Sequence, residues 1–111
     1  MLTEGTKAIV GGRPATVESS HATVDKLFVR VRVDYPDRDT ALAAPAGYLA
    51  WALLAEGRIV EPLADETTCG APLGPDDPWT VSCDLVYPAT KGTKTLAFRS
   101  GDAQRLWRIS A

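Results

Sequence analysis

Seven residues, Leu27-Phe28-Val29-Arg30-Val31-Arg32-Val33, constrain this chain more than any others. Leu27, Val29, Val31 and Val33 alternate with Phe28, Arg30 and Arg32. Apolar residues at a spacing of two, mostly β-branched, predict a strand with one face in a core and the other in water. Two arginines on the wet face exclude burial on both sides, so this is not a central strand of a parallel α/β sheet. A second run repeats the pattern. Trp79, Val81, Cys83, Leu85 and Tyr87 alternate with Thr80, Ser82, Asp84 and Val86.

Punctuation between strands supplies the rest of the architecture. Thr6 to Val10 is extended and apolar, Gly11-Gly12 is a turn, and Ala15-Thr16-Val17-Glu18 returns, which predicts a hairpin. Ser19-Ser20-His21 reads as a loop or an extended link into the long strand. Asp34-Tyr35-Pro36-Asp37-Arg38-Asp39 is turn chemistry and ends that strand. Ala41 to Leu54 has helix-favouring alanines and leucines, but Pro45 and Gly47 interrupt it. The surviving run, Tyr48 to Leu54, has the length of a buried strand. Ala55 to Arg58 turns it back through Ile59 to Leu63. Ala64 to Pro78 is a Pro/Gly-rich loop, and Thr95 to Arg99 and Arg105 to Ile109 are the last strands.

Seven or eight short strands at this spacing predict an all-β sandwich or barrel. The 111 residues form a single domain, 1–111, large enough to bury a core of its own. That core should contain Leu27, Val29, Val31, Trp51, Leu53, Val81, Cys83, Leu85, Leu96 and Phe98, closed by Trp107 and Ile109.

The order of these features is similar to an immunoglobulin-like domain family of unknown function, found on bacterial lipoproteins and secreted proteins. That family is related in fold to a secreted mycobacterial immunoprotective antigen. Gly5 to Gly12 with Ala15-Thr16-Val17 resembles its opening hairpin, and Leu27 to Val33 its long strand. Tyr48 to Leu53 with Glu56-Gly57-Arg58 resembles its central strand and turn, and Trp79 to Tyr87 and Leu96-Ala97-Phe98 its late strands. The resemblance implies an antiparallel immunoglobulin-like sandwich, acting as a non-enzymatic extracytoplasmic domain that binds a protein or cell-envelope partner. Gly5 to Val33 also fits the start of a small SH3-like barrel, and with it a structural particle protein such as a phage decoration or head-tail connector subunit.

Charge and motif content narrow the functions. Net charge is −2 and no two Lys or Arg residues are adjacent, so nucleic acid is not an expected partner. The longest apolar run is too short to span a bilayer as a helix. Met1 to Gly5 has neither the basic start nor the apolar middle of a signal peptide. An extracellular or cell-surface site therefore supposes a leader already removed. The alternatives are a virion or the cytoplasm.

Cys69 and Cys83 are the only cysteines, and with a single histidine they do not make a closed zinc site. They read as a disulfide tying the Pro/Gly-rich loop to the following strand, against the alternative of two separate buried thiols. Asp34, Asp37 and Asp39, with Asp76 and Asp77, supply oxygens but match no calcium loop. Ser19, Ser20 and His21 hold a nucleophile and a base without any signature of an oxyanion hole. No catalytic residue, metal or cofactor is expected. Trp51 and Trp107 belong to strands and the core. Tyr35, in a turn, and Trp79, beside Pro78, are the expected exposed recognition residues, on the loops 34–47 and 64–79.

Overall fold

A computed structural model describes residues 1–43, 47–70 and 79–111. Ten strands occur among them: β1 (Leu2–Thr3), β2 (Lys7–Val10), β3 (Arg13–Ala22), β4 (Lys26–Tyr35), β5 (Trp51–Ala55), β6 (Arg58–Val60), β7 (Thr68–Cys69), β8 (Trp79–Pro88), β9 (Lys94–Ser100) and β10 (Ala103–Ile109). One short helix, α1 (Arg38–Ala43), and a 3-10 turn at Tyr48–Ala50 complete the regular elements.

The alternating run becomes β4, which pairs antiparallel with β3 on one side and β8 on the other. The two amphipathic strands found in the sequence are thus direct neighbours, in register from Lys26↔Pro88 to Tyr35↔Trp79. They centre a five-stranded sheet of order β2-β3-β4-β8-β7. The second sheet has order β1-β10-β9-β5-β6. All pairings are antiparallel except that of β1 with β10.

Both sheets feed one core. Val17, Leu27, Val29, Val31, Leu85 and Tyr87 come from the first, and Trp51, Leu53, Leu96, Phe98 and Trp107 from the second. Every core residue expected from the sequence is buried. Two separate sheets around a shared core make an all-β sandwich rather than a single small barrel. Trp51 meets Phe98 at 4.6 Å and Trp107 at 5.9 Å between ring centroids. Trp107 also donates from Nε1 to the Thr6 carbonyl at 2.8 Å, fastening the chain start to the last strand. Trp51 Nε1 and the Tyr87 hydroxyl are buried without a hydrogen-bond partner among the described residues.

Two turns obey backbone sterics. Gly11 and Gly12 both have positive φ, and a Cβ on Gly11 would lie 2.7 Å from the Ser100 carbonyl oxygen. Glycine at 11 is therefore required by close approach to β9 as well as by φ. Glu56 and Gly57 close the β5–β6 hairpin, with Glu56 at φ 55°. A left-handed glutamate is uncommon; here its carboxylate is engaged, accepting from the Lys91 N–H at 3.2 Å and from Arg58 Nη2 at 3.4 Å.

The structure departs from the sequence reading in several places: Asp34 and Tyr35 belong to β4 rather than to a turn, and Thr68–Cys69 forms β7 inside the expected loop. Residues 19–21 are not a loop but part of β3. Residues 38–39 open a helix, because the Asp37 carboxylate accepts from the Thr40 N–H at 2.8 Å and caps it. The strand expected from Tyr48 begins at Trp51, and its partner stops at Val60, before Pro62. Pro45, and the loop residues Pro72, Gly74, Pro75 and Pro78, lie outside the described residues.

Candidate functional site

Alternation along β3 is broken once. The register against β4 slips between Val17 and Ser19, leaving Glu18 as the extra residue of a β-bulge. Ahead of it, Ala15 and Val17 are buried in the core. Beyond it, Ser19 lies opposite Arg30 and His21 opposite Phe28. A one-residue slip exchanges the faces of every later side chain. Without the bulge, His21 would turn toward the core; with it, His21 joins Phe28 and Arg30 on the outer face.

That face carries an open groove of about 470 Å³, whose lining includes Ser19, His21, Phe28, Arg30, Glu66 and Asp84. The His21 and Phe28 rings stack 4.6 Å apart, 7° from parallel. Arg30 reaches across to β8 as a fork, with Nε 2.9 Å from Asp84 Oδ1 and Nη2 3.3 Å from Oδ2. Glu66, on the segment between β6 and β7, lines one side. Leu63 donates its N–H to the Val86 carbonyl at 2.7 Å, and Thr67 Oγ1 accepts from the Val86 N–H at 3.0 Å. Glu66 on this segment forms an ion pair with Lys26. The segment then enters β7, where Cys69 is bonded to Cys83, its direct cross-strand partner. The expected disulfide is thus present, and it pins the groove wall to β8.

Further along the same face, Asp34 is nearly covered, with Arg32 Nε at 2.8 Å and Lys7 Nζ at 2.9 Å. Burial pushes its carboxyl up, but the hydrogen bonds and charges of Arg32 and Lys7 outweigh that and hold it below the usual aspartate range. Glu4 plays a similar part at the sandwich end. Burial raises its pKa, but the Ser110 N–H at 2.6 Å, Ser20 Oγ at 2.6 Å and Ser110 Oγ at 2.9 Å together lower it below its ordinary value.

The residues singled out in the sequence fall in different places. Tyr35 is not an exposed turn residue: it is the last residue of β4, 4% exposed, with the Arg13 guanidinium 4.9 Å above its ring. The alternation that buries Val31 and Val33 simply runs two residues further, past Asp34. Trp79 lies opposite Tyr35, half-buried against the core. Ser20, bonded to Glu4, sits opposite Val29, while His21 lies flat on Phe28, so the three neighbours Ser19, Ser20 and His21 do not converge as a nucleophile and base. Asp34 and Asp37 serve the ion-pair cluster and the helix cap, and Asp76 and Asp77 lie outside the described residues. Among the described residues, no three His, Cys, Asp or Glu side chains gather as a metal site, and no helix is long and apolar enough to cross a membrane.

The groove was missed because it depends on the bulge. Phe28, between Leu27 and Val29, was the available signal: an aromatic on the wet side of an otherwise charged strand face. The chain has no match among protein-family models, curated proteins or solved structures.

Proposed function

We propose that the chain is an immunoglobulin-like interaction domain that binds a protein or cell-envelope partner in the groove of β3, β4 and β8. The observation that carries this reading is the groove's construction. A half-covered aromatic stack, His21 on Phe28, stands beside a forked Arg30–Asp84 pair on rigid strands, with a disulfide-pinned wall. Apolar surface ringed by polar groups already held in position suits recognition, since little order remains to be imposed on binding.

Strand order supports the immunoglobulin-like assignment. With β3 to β10 read as A, B, C, C′, D, E, F and G, the sheets become β2-A-B-E-D and β1-G-F-C-C′, an immunoglobulin-like order with one extra strand at an edge of each sheet. Trp51 then occupies strand C and packs on Phe98 of strand F, where antibody domains place their tryptophan. The disulfide instead joins D and E. A structural disulfide persists best in an oxidising compartment, which supports an extracytoplasmic location.

The test is affinity capture from envelope and culture-medium fractions of the source cells, using the chain and its variants. Arg30→Ala and Phe28→Ser should lose the captured partner while keeping native denaturation midpoints, and Trp79→Ser should retain it. Capture that survives both groove substitutions, or fails only with Trp79→Ser, overturns the reading in favour of the loops.

A further inference from the structure

The disulfide joins two cysteines in unlike surroundings. Cys83, 1% exposed, belongs to β8 and the shared core, while Cys69 is exposed on β7 at the edge of the sheet. β7 has only two residues, both exposed, paired with Asp84 and Cys83. No side chain of residues 61–70 is buried. The segment is therefore held to β8 without core packing. Beside the two-residue ladder, its ties are the Leu63 N–H to the Val86 carbonyl, the Val86 N–H to Thr67 Oγ1, the Gly70 N–H to the Ser82 carbonyl at 2.8 Å, and the Lys26–Glu66 ion pair. Hydrogen bonds at an exposed sheet edge open readily, and so short a strand does not stand alone. The S–S bond is the covalent tie that such opening leaves intact.

The groove shares residues with this attachment. Glu66 lines it from the segment, and Asp84 and Val86 line it from β8, where Thr68, Leu63 and Thr67 engage them. Release of the segment removes Glu66, uncovers the Val86 backbone and strips Lys26 of its partner. His21, Phe28 and Arg30 stand on β3 and β4, which pair with each other independently of the segment. We infer that Cys69–Cys83 is a redox latch on the groove: reduction detaches residues 61–70 from β8, leaves the sandwich folded and weakens partner binding. The inference rests on the groove being the binding site.

The co-reactant is a dithiol. One of its thiolates attacks Cys69, the exposed partner, and the S–S bond breaks. Cys83 leaves as a thiolate and takes up a proton. The second thiol then attacks the mixed disulfide, so that Cys69 is freed as a thiol and the dithiol ends as its own disulfide. Two electrons and two protons have passed to the protein. Reduced Cys83 remains in the core as a small apolar group, which is why the fold survives the opening.

The test treats the native chain with dithiothreitol in the absence of denaturant. Intact mass should rise by two hydrogens. Hydrogen exchange should quicken at the Leu63, Gly70 and Val86 amides by about tenfold or more, while β5 and β9 keep their protection. Capture from the source envelope fraction should fall by about tenfold or more and return on reoxidation. Cys69→Ser with Cys83→Ala should reproduce both changes with no thiol reagent present, which separates the latch from a reductant acting on the partner. Should that variant not fold, reversal on reoxidation of the unmodified chain decides. A disulfide that yields to dithiothreitol only in denaturant, exchange that quickens in both sheets or nowhere, or equal capture by the two redox forms overturns the latch and leaves the groove reading standing. An oxidised chain that captures nothing, or whose capture survives Phe28→Ser and Arg30→Ala, overturns the groove reading and, with it, the latch as a control on binding.

Discussion

The two outer faces of this sandwich obey the same alternation and end up as opposites. On the sheet built around β4 and β8, the outward positions hold Phe28, stacked on His21, and Arg30, Arg32, Asp34 and Asp84, engaged in the ion pairs Arg30–Asp84, Arg32–Asp34 and Lys7–Asp34. On the sheet built around β5 and β9, they hold Ala52, Leu54, Thr95 and Ala97, with charges only at the flanks. The inner positions of both sheets are equally apolar. Fold stability resides in what the faces share, and the proposed function in what distinguishes them. One face is structured by its own side chains and keeps a groove in water. The other offers flat apolar surface that water does not favour.

The largest expected effect lies between the faces and sets the scale for the rest. Trp51, 3% exposed and packed on Phe98 and Trp107, should cost about 3–5 kcal/mol when replaced by alanine, read from urea midpoints. Half-buried Trp79 should cost less. Equal losses at the two positions would mean that the core extends to the sheet end.

Reduction of Cys69–Cys83 should come next, at roughly 3 kcal/mol for a loop of this size. The effect should be one-sided. Hydrogen exchange should quicken along β7, β8 and the segment 61–67, and leave β5 and β9 protected. Faster exchange in both sheets would contradict the independence of the two faces.

Tyr87→Phe should move the other way, raising stability by about 1 kcal/mol, because it removes a buried hydroxyl without a partner among the described residues. Burial alone drives that phenol well above its normal pKa, so it stays neutral throughout the working range.

Acid should act mainly through the clamped carboxylates. Asp34 and Glu4 have folded pKa values below their reference values of 3.8 and 4.5. Their stabilisation is therefore complete above those reference values and is lost as pH falls through the lower folded ones. Denaturation midpoints should fall below about pH 4.5, and Glu4→Gln with Asp34→Asn should flatten that fall. An unchanged acid limb in the double variant would mean that other carboxylates govern it.

Arg30→Ala should have the smallest effect on stability, with no resolvable shift in midpoint, since both partners of the pair are in solvent. Its effect should appear in binding alone.

The part of this picture legible in the sequence is local. Leu27 to Val33 and Trp79 to Tyr87 announced the two strands that centre the first sheet, and Gly11-Gly12 and Glu56-Gly57 the tight turns of the β2–β3 and β5–β6 hairpins. The cysteine pair was legible because one partner stood in a strand and the other in a loop. What stayed hidden is register and distance. Nothing in Val17-Glu18-Ser19 marks Glu18 as the bulged residue, so His21 read as loop and the groove went unseen. The parallel pairing of Leu2 with Trp107 spans nearly the whole chain and leaves no local pattern. Tyr35 was misplaced because Asp34, held by Lys7 and Arg32, resembles a turn residue while sitting inside a strand.

Photo-crosslinking from each face in turn tests the central claim most directly. A benzophenone side chain replacing Phe28 and, in a second variant, Ile59 is irradiated in the presence of the source envelope fraction. The account predicts an adduct with a different protein from position 28, and none from position 59. Self-adducts from position 28, or the same adducts from both positions, would contradict it.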